Sequence, residues 1–183
     1  MAGLRVQSLI GLLLFAVFGA GFTVPALAHA KNHLQIDEYL KVNEYLVAPD
    51  RKSHAILQPD GNLCVFGGDE PKNKQAQLWC SGSSRSPGDY YAILGSDANL
   101  CIFRGVAPPK NGKHGSSVWC WGDKERPGGR FFVRVEGPAL IAYELLVFPG
   151  NAVPRPPRML WASRKVPKST VKGFAQLAAL PPS

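Results

Sequence analysis

The side chains best suited to chemistry lie in one stretch, residues 57 to 66, Leu-Gln-Pro-Asp-Gly-Asn-Leu-Cys-Val-Phe. Gln58, Asp60 and Asn62 set an amide, a carboxylate and a second amide at alternate positions. Such a set offers donors and acceptors matched to adjacent hydroxyls of a small polar ligand. On a β-strand the alternation puts Gln58, Asp60, Asn62, Cys64 and Phe66 on one face and Leu57, Leu63 and Val65 on the other. The alternative is structural: Asp and Asn beside Gly often bond to their own backbone and fix a bend.

Catalysis has less to draw on. His54 and His114 fall in polar loops, no Gly-x-Ser-x-Gly occurs, and His114-Gly115-Ser116 has no partner acid at an informative spacing. Asp69 and Glu70 are adjacent, so on a strand they would face opposite ways. Tetrahedral zinc would need ligands gathered from separate parts of the chain, because no Cys-x-x-Cys or clustered His is present. The chain is therefore not expected to be an enzyme or to hold a metal or cofactor.

The elements that position the polar stretch are repeated. Residues 94 to 103, Leu-Gly-Ser-Asp-Ala-Asn-Leu-Cys-Ile-Phe, keep Asp97, Asn99, Cys101 and Phe103 in the same frame, with Gly95 where Gln58 stood. A third copy survives as a skeleton at 135 to 143, where Val135, Gly137, Ala139, Ile141 and Tyr143 take the five positions without a polar side chain. A loop and a tryptophan strand follow each copy: Leu78-Trp79-Cys80, Val118-Trp119-Cys120 and Leu160-Trp161-Ala162. Asn62 to Asn99 is 37 residues and Asn99 to Ala139 is 40, a period that means one supersecondary unit copied around a common core. Ahead of the first copy, Tyr39-Leu40 and Tyr45-Leu46 predict one or two short strands leading in, and Pro49-Asp50-Arg51-Lys52-Ser53 predicts a turn. No segment has a convincing helical period apart from the short run 171 to 180, so the body is expected to be all-β.

Cys64 and Cys101 hold the same position in their copies, and Cys80 and Cys120 both follow the repeated Trp. In the third copy the equivalents are Ile141 and Ala162, so both members are absent together. That pattern predicts a bridge within each repeat, Cys64 to Cys80 and Cys101 to Cys120. Each would close a loop of roughly fifteen to twenty residues, worth about 3 kcal/mol in the chain-entropy model.

Residues 1 to 30 read as a signal peptide, with Arg5 in a basic start, an apolar run from Leu9 to Phe22, and small residues before a cut near Ala28-His29-Ala30. The mature protein is expected to be soluble and secreted or periplasmic, a setting in which four cysteines form disulfides. Formal net charge is +8. Residues 31 to 150 carry fourteen Lys and Arg against thirteen Asp and Glu, while 151 to 183 carry six basic residues and no acid. Three segments follow: the signal 1–30, a domain 31–165 and a basic tail 166–183. The tail reads first as a solvated segment and second as a contact for an anionic cell surface; nucleic acid is not expected, since the tail lacks the interleaved aromatics of single-strand binders.

The frame Gln-x-Asp-x-Asn-x-Val-x-Tyr, used three times with a Trp strand after each copy, is the signature of the bulb-type (monocot) mannose-binding lectins. Residues 58 to 66 resemble it, and the likeness extends over about 36 to 165. The resemblance implies a β-prism II fold, three antiparallel sheets with pseudo-threefold symmetry around Trp79, Trp119 and Trp161. It also implies that Gln58, Asp60 and Asn62 bind the hydroxyls of mannose-containing glycans, with Cys64 and Phe66 in place of the Val that touches the ring and the Tyr that adds a hydrogen bond. Asp97 and Asn99 would be the remnant of a second site, and the third would offer no polar group. One weak site would need avidity from a homo-oligomer or a multivalent glycan. The alternative function is a prism that has lost its sugar and recognises a protein or cell surface.

Overall fold

The computed structural model describes residues 31–122, 129–146 and 156–165. The signal segment 1–30, the tail 166–183 and the run 171 to 180 lie outside the described residues. The described chain is all-β, with one short 3-10 turn at Pro71–Asn73. Its strands are β1 (His33–Gln35), β2 (Tyr39–Lys41), β3 (Tyr45–Val47), β4 (Ser53–Leu57), β5 (Leu63–Gly67) and β6 (Gln77–Cys80). They continue with β7 (Tyr90–Leu94), β8 (Leu100–Arg104), β9 (Ser117–Trp121), β10 (Arg130–Glu136), β11 (Ala139–Leu145) and β12 (Arg158–Ala162). Three four-stranded antiparallel sheets result, ordered β3-β4-β5-β6, β2-β7-β8-β9 and β1-β10-β11-β12.

Each sheet takes three strands from one repeat and its first strand from the segment 31–48. That segment is itself a six-residue repeat: Lys-Asn-His-Leu-Gln-Ile, Asp-Glu-Tyr-Leu-Lys-Val, Asn-Glu-Tyr-Leu-Val-Ala. Every hexad gives one strand to one sheet, which makes three leading strands where the aromatic spacing alone predicts one or two. Leu34, Leu40 and Leu46, the fourth residue of each, are buried in the shared core. The corners between hexads are Asp37 and Asn43, both in the left-handed region (φ 64 and 68), which these two residue types tolerate better than most. Their N–H groups donate to Leu94 O and Leu57 O, while Glu38 and Glu44 carboxylates accept from the N–H groups of Gln35 and Lys41.

The polar stretch is not one strand. Leu57 ends β4 and pairs with Leu63, which opens β5, so Gln58 to Asn62 form the five-residue tip of a hairpin. Residues 95–99 are the matching tip between Leu94 and Leu100. Alternation along a strand therefore relates Cys64 to Phe66, whereas Gln58, Asp60 and Asn62 are brought together by the turn.

A second local device recurs three times. Pairing of the Trp strand slips between Val65 and Phe66, between Ile102 and Phe103, and between Ala142 and Tyr143. The residues left over are Leu78, Val118 and Leu160, each just before its Trp. Such a bulge interrupts alternation, so both members of Leu78-Trp79 pack against the same core instead of opposite faces. The centre of the prism holds four indoles, not three. Trp121 lies 5.7 Å from Trp79, 5.7 Å from Trp119 and 5.8 Å from Trp161, tying all of them together. Packing of this kind supplies large apolar area at edge and tilted geometries that aromatic pairs favour.

Candidate functional site

The outer face of each sheet carries a strip of three rings at equivalent positions. A ring on the edge strand meets the next edge-on: Tyr45 with His54 at 6.0 Å, Tyr39 with Tyr91 at 6.3 Å, His33 with Phe132 at 6.4 Å. The middle ring then stacks on the aromatic that ends the motif: His54 on Phe66 at 5.8 Å, Tyr91 on Phe103 at 5.5 Å, Phe132 on Tyr143 at 5.1 Å. His54 is thus no loop residue. It sits in β4 with 0% exposure, and its Nδ1 is hydrogen-bonded to Gly68 O at 2.8 Å. The third position of each hexad, His33, Tyr39 and Tyr45, supplies the edge ring, a signal visible in the sequence once the six-residue period is seen.

Beside the ring strip of the first repeat lies the disulfide Cys64–Cys80, and Cys101–Cys120 lies beside the second. Both pairs are direct strand partners, so the bridges follow from register. Cys64 is buried at the centre of the outer face and takes a hydrogen bond from Gln58 Nε2 at 3.1 Å.

The first hairpin tip carries all three candidate residues, and two of them are partly committed to the fold. Asp60 Oδ1 accepts the Asn62 N–H at 3.0 Å, and Oδ2 accepts the Ser84 hydroxyl at 2.6 Å. Asn62 Oδ1 accepts from the Ser81 hydroxyl at 2.9 Å and from the N–H groups of Gly82 and Ser83 at 3.1 and 3.3 Å. Gly61 sits between them at φ 75, where an added Cβ would approach the Tyr90 ring to 2.8 Å. The bend-forming role considered for this triplet is therefore real. Still, Gln58 Oε1 and Asn62 Nδ2 have no intramolecular partner among the described residues, and a carboxylate oxygen can accept more than one donor.

The second tip folds in on itself. Asp97 Oδ1 accepts the Asn99 N–H at 3.0 Å and Oδ2 accepts Asn99 Nδ2 at 2.7 Å. A Cβ added to Gly95 would run into Asp97 Oδ1, so the carboxylate fills the space where a side chain equivalent to Gln58 would start. Asn99 Oδ1 is buried against Gly122 without a hydrogen-bond partner.

The third tip departs from its sequence alignment. Val135 pairs with Leu140 as Leu57 pairs with Leu63, so Val135 corresponds to Leu57 and not to Gln58. Four residues, 136–139, replace five, and Glu136 stands beside the tip where Gln58 stands. The third repeat does carry polar groups. Arg134, paired across to Ile141 as Ile56 is to Cys64, forms an ion pair with Glu136, and the Tyr143 hydroxyl donates to Glu136 Oε1 at 2.7 Å. All three are at least nine-tenths buried. Burial and the Glu136 carboxylate push the Tyr143 phenol well above its usual range, so it stays protonated and donating. His33, on the adjoining edge, is pushed below the usual imidazole value by burial, with Arg134 and Lys31 adding to the effect and Glu38 opposing it.

Sequence reasoning did not anticipate Ser81 and Ser163. Each hydroxyl accepts an N–H near the start of its hairpin's return strand, from Leu63 at 3.0 Å and Leu140 at 2.9 Å, while its own N–H donates back to that residue's carbonyl. In the second repeat this position is Trp121, which turns into the core instead.

No protein-family model matches the chain, and no curated protein does. Solved structures with a similar fold include a lectin from Allium sativum, 20% identical over 66% of this chain and 100% of that one, TM-score 0.51. A mannose specific lectin from dutch crocus (Crocus vernus) is 18% identical over 67% and 96%, TM-score 0.52. A lectin from Colocasia esculenta is 15% identical over 68% and 96%, TM-score 0.50. At these identities the likeness speaks for the fold, a β-prism II of three antiparallel four-stranded sheets.

Proposed function

We propose that this chain is a carbohydrate-binding protein of the lectin type with a single working site, the first hairpin tip, and that the site takes mannose-type sugars. The observation that carries this is the placement of Gln58, Asp60 and Asn62 on one five-residue tip with Gln58 Oε1 and Asn62 Nδ2 still available. An open amide oxygen, an amide donor and a carboxylate match vicinal hydroxyls on a pyranose. The buried Cys64–Cys80 bridge and the Phe66 ring give an apolar floor beside them. The mannose specificity of the dutch crocus lectin supports the sugar class.

The second and third tips are read as non-binding, one closed by Asp97 on Asn99 and the other by Arg134 on Glu136. Weak single-site affinity would then be raised by a homo-oligomer or a clustered glycan. A signal at 1–30, a domain at 31–165 and a basic tail at 166–183 remain part of the proposal. Two disulfides support an exported, oxidising location. The chain is read as a binding protein and not as an enzyme.

A second reading, a prism that no longer binds sugar and recognises a protein or cell surface, is favoured by one specific observation. Asp60 and Asn62 both serve the fold of their own tip. The discriminating experiment is calorimetric titration of the disulfide-intact protein with a mannose-terminated oligosaccharide, using Gln58→Ala as the variant. Gln58 is the right residue because its one side-chain hydrogen bond goes to the weak acceptor Cys64 Sγ and to no backbone group of the tip. Saturable heat lost in the variant supports the lectin reading, and no heat at millimolar sugar supports the scaffold.

A further inference from the structure

Each repeat sets a nitrogen-bearing group against the ring that ends its outer strip. Lys74 Nζ lies 4.6 Å from the Phe66 centroid, the His114 ring stacks on Phe103 at 4.7 Å, and the Arg134 guanidinium lies 5.5 Å over Tyr143. Two of the three are engaged inside the protein. His114 Nδ1 is hydrogen-bonded to the Tyr91 hydroxyl at 3.0 Å, and Arg134 is paired with Glu136. Lys74 differs. It is exposed, and among the described residues no carboxylate pairs with it. Asp69, in the same loop, is already held by Arg51 and Asn73.

We propose that the first site takes a saccharide bearing an anionic group, a ring carboxylate or a phosphate or sulfate ester, with Lys74 as its counter-charge. The proposal rests on the reading of the first site given above. Phe66 has no hydroxyl to donate, and the ammonium held over its ring brings three donors and a full positive charge to the same end of the strip. A neutral hydroxyl gains an ion–dipole hydrogen bond from that group, without the attraction between opposite charges. An anionic oxygen gains that attraction as well. Gln58, Asp60 and Asn62 then read the hydroxyls of the ring while Lys74 selects its charge. Because Lys74 is at the surface, the preference is expected to be screened by salt.

The test is calorimetric titration of the disulfide-intact protein at low ionic strength with methyl α-mannoside, mannose 6-phosphate and a mannuronate trisaccharide. Wild type, Lys74→Gln and Gln58→Ala are compared. The anionic probes are expected to bind about tenfold tighter than the neutral one, the low end for a hydrogen bond to a charged group. Lys74→Gln should erase that ratio, and Gln58→Ala should weaken all three probes. The tighter of the two anionic probes tells an ester from a ring carboxylate. Equal wild-type affinities that Gln58→Ala lowers would overturn the charge preference and leave the sugar site standing. So would a preference that survives Lys74→Gln. Anionic binding indifferent to Gln58→Ala would instead overturn the site itself, and no binding of any probe would overturn both.

Discussion

The Asn62 side chain accepts the Ser81 hydroxyl at 2.9 Å, a bond that ties the tip of the first hairpin to the end of its Trp strand. The same amide oxygen takes the N–H groups of Gly82 and Ser83. Asn62→Ala is therefore expected to lose stability whether or not the protein meets a sugar. It takes this acceptor from the half-buried Ser81 hydroxyl and the Ser83 N–H, at about 1–3 kcal/mol. Urea denaturation should show this loss for Asn62→Ala and a change within about 0.5 kcal/mol for Gln58→Ala, an effect typical of substitutions away from packed features. Equal stability of the two variants would remove the structural role of Asn62.

Gly61 and Ala98 occupy the same corner of their hairpins, at φ 75 and φ 66. Gly61→Ala meets the Tyr90 ring as well as the backbone penalty and is expected to cost 2 kcal/mol or more, roughly, as overpacking adds to left-handed strain. Ala98→Gly relieves about 1 kcal/mol of strain but gives a similar amount back as unfolded-state entropy. A thermal scan should place Ala98→Gly near wild type and Gly61→Ala far below it.

The two disulfides close separations of 16 and 19 residues. Cys101→Ser with Cys120→Ser should cost about 3 kcal/mol in denaturation midpoints, and the intact protein should weigh four hydrogens less than its reduced form. A mass equal to the reduced value would contradict both bridges.

Arg134 and Glu136 form a buried pair, with Glu136 bonded also to Tyr143. Arg134→Met alone leaves a buried carboxylate without its counter-charge and is expected to cost about 3–5 kcal/mol. Adding Glu136→Leu should recover part of that loss, since an apolar pair of similar volume avoids the desolvation of two ions but takes the Glu136 acceptor from the buried Tyr143 hydroxyl. A double-mutant cycle in urea measures the recovery, and no recovery would mean that the damage is packing and not charge.

His33 sets a pH dependence whose sign is fixed by the direction of its shift. Its folded value lies below the unfolded 6.5, mainly through burial, with Arg134 and Lys31 lowering it and Glu38 raising it. Between those two values the unfolded chain binds more protons than the native one, so stability rises with pH. The contribution is present above 6.5, falls as pH drops below it and levels off beneath the folded value. Denaturation midpoints of wild type and His33→Gln should converge in their pH slope everywhere except in that window.

How much of this was legible depended on whether a feature repeats locally. Cys64 with Cys80 and Cys101 with Cys120 could be paired from joint presence in two repeats and joint absence in the third, because bridge partners must share a register. The Trp positions were equally plain, as was the period. The hexads at 31–48 were available too, but six residues is less than one supersecondary unit, and their meaning depends on each going to a different sheet.

The chain's own order of residues determined the three repeats, the bridges and the all-β body, since periodicity and covalent partners are properties of the sequence. Only the tertiary structure decided what the polar residues do. The sequence spaces Gln58, Asp60 and Asn62 as on a strand, yet a turn gathers them, because Leu57 must pair with Leu63 to keep both in the core. Asp97 turned onto Asn99 because Gly95 left the room, and Glu136 took Gln58's place because the third tip is one residue shorter. Those outcomes rest on contacts across the sheet, which no alternation along one strand encodes.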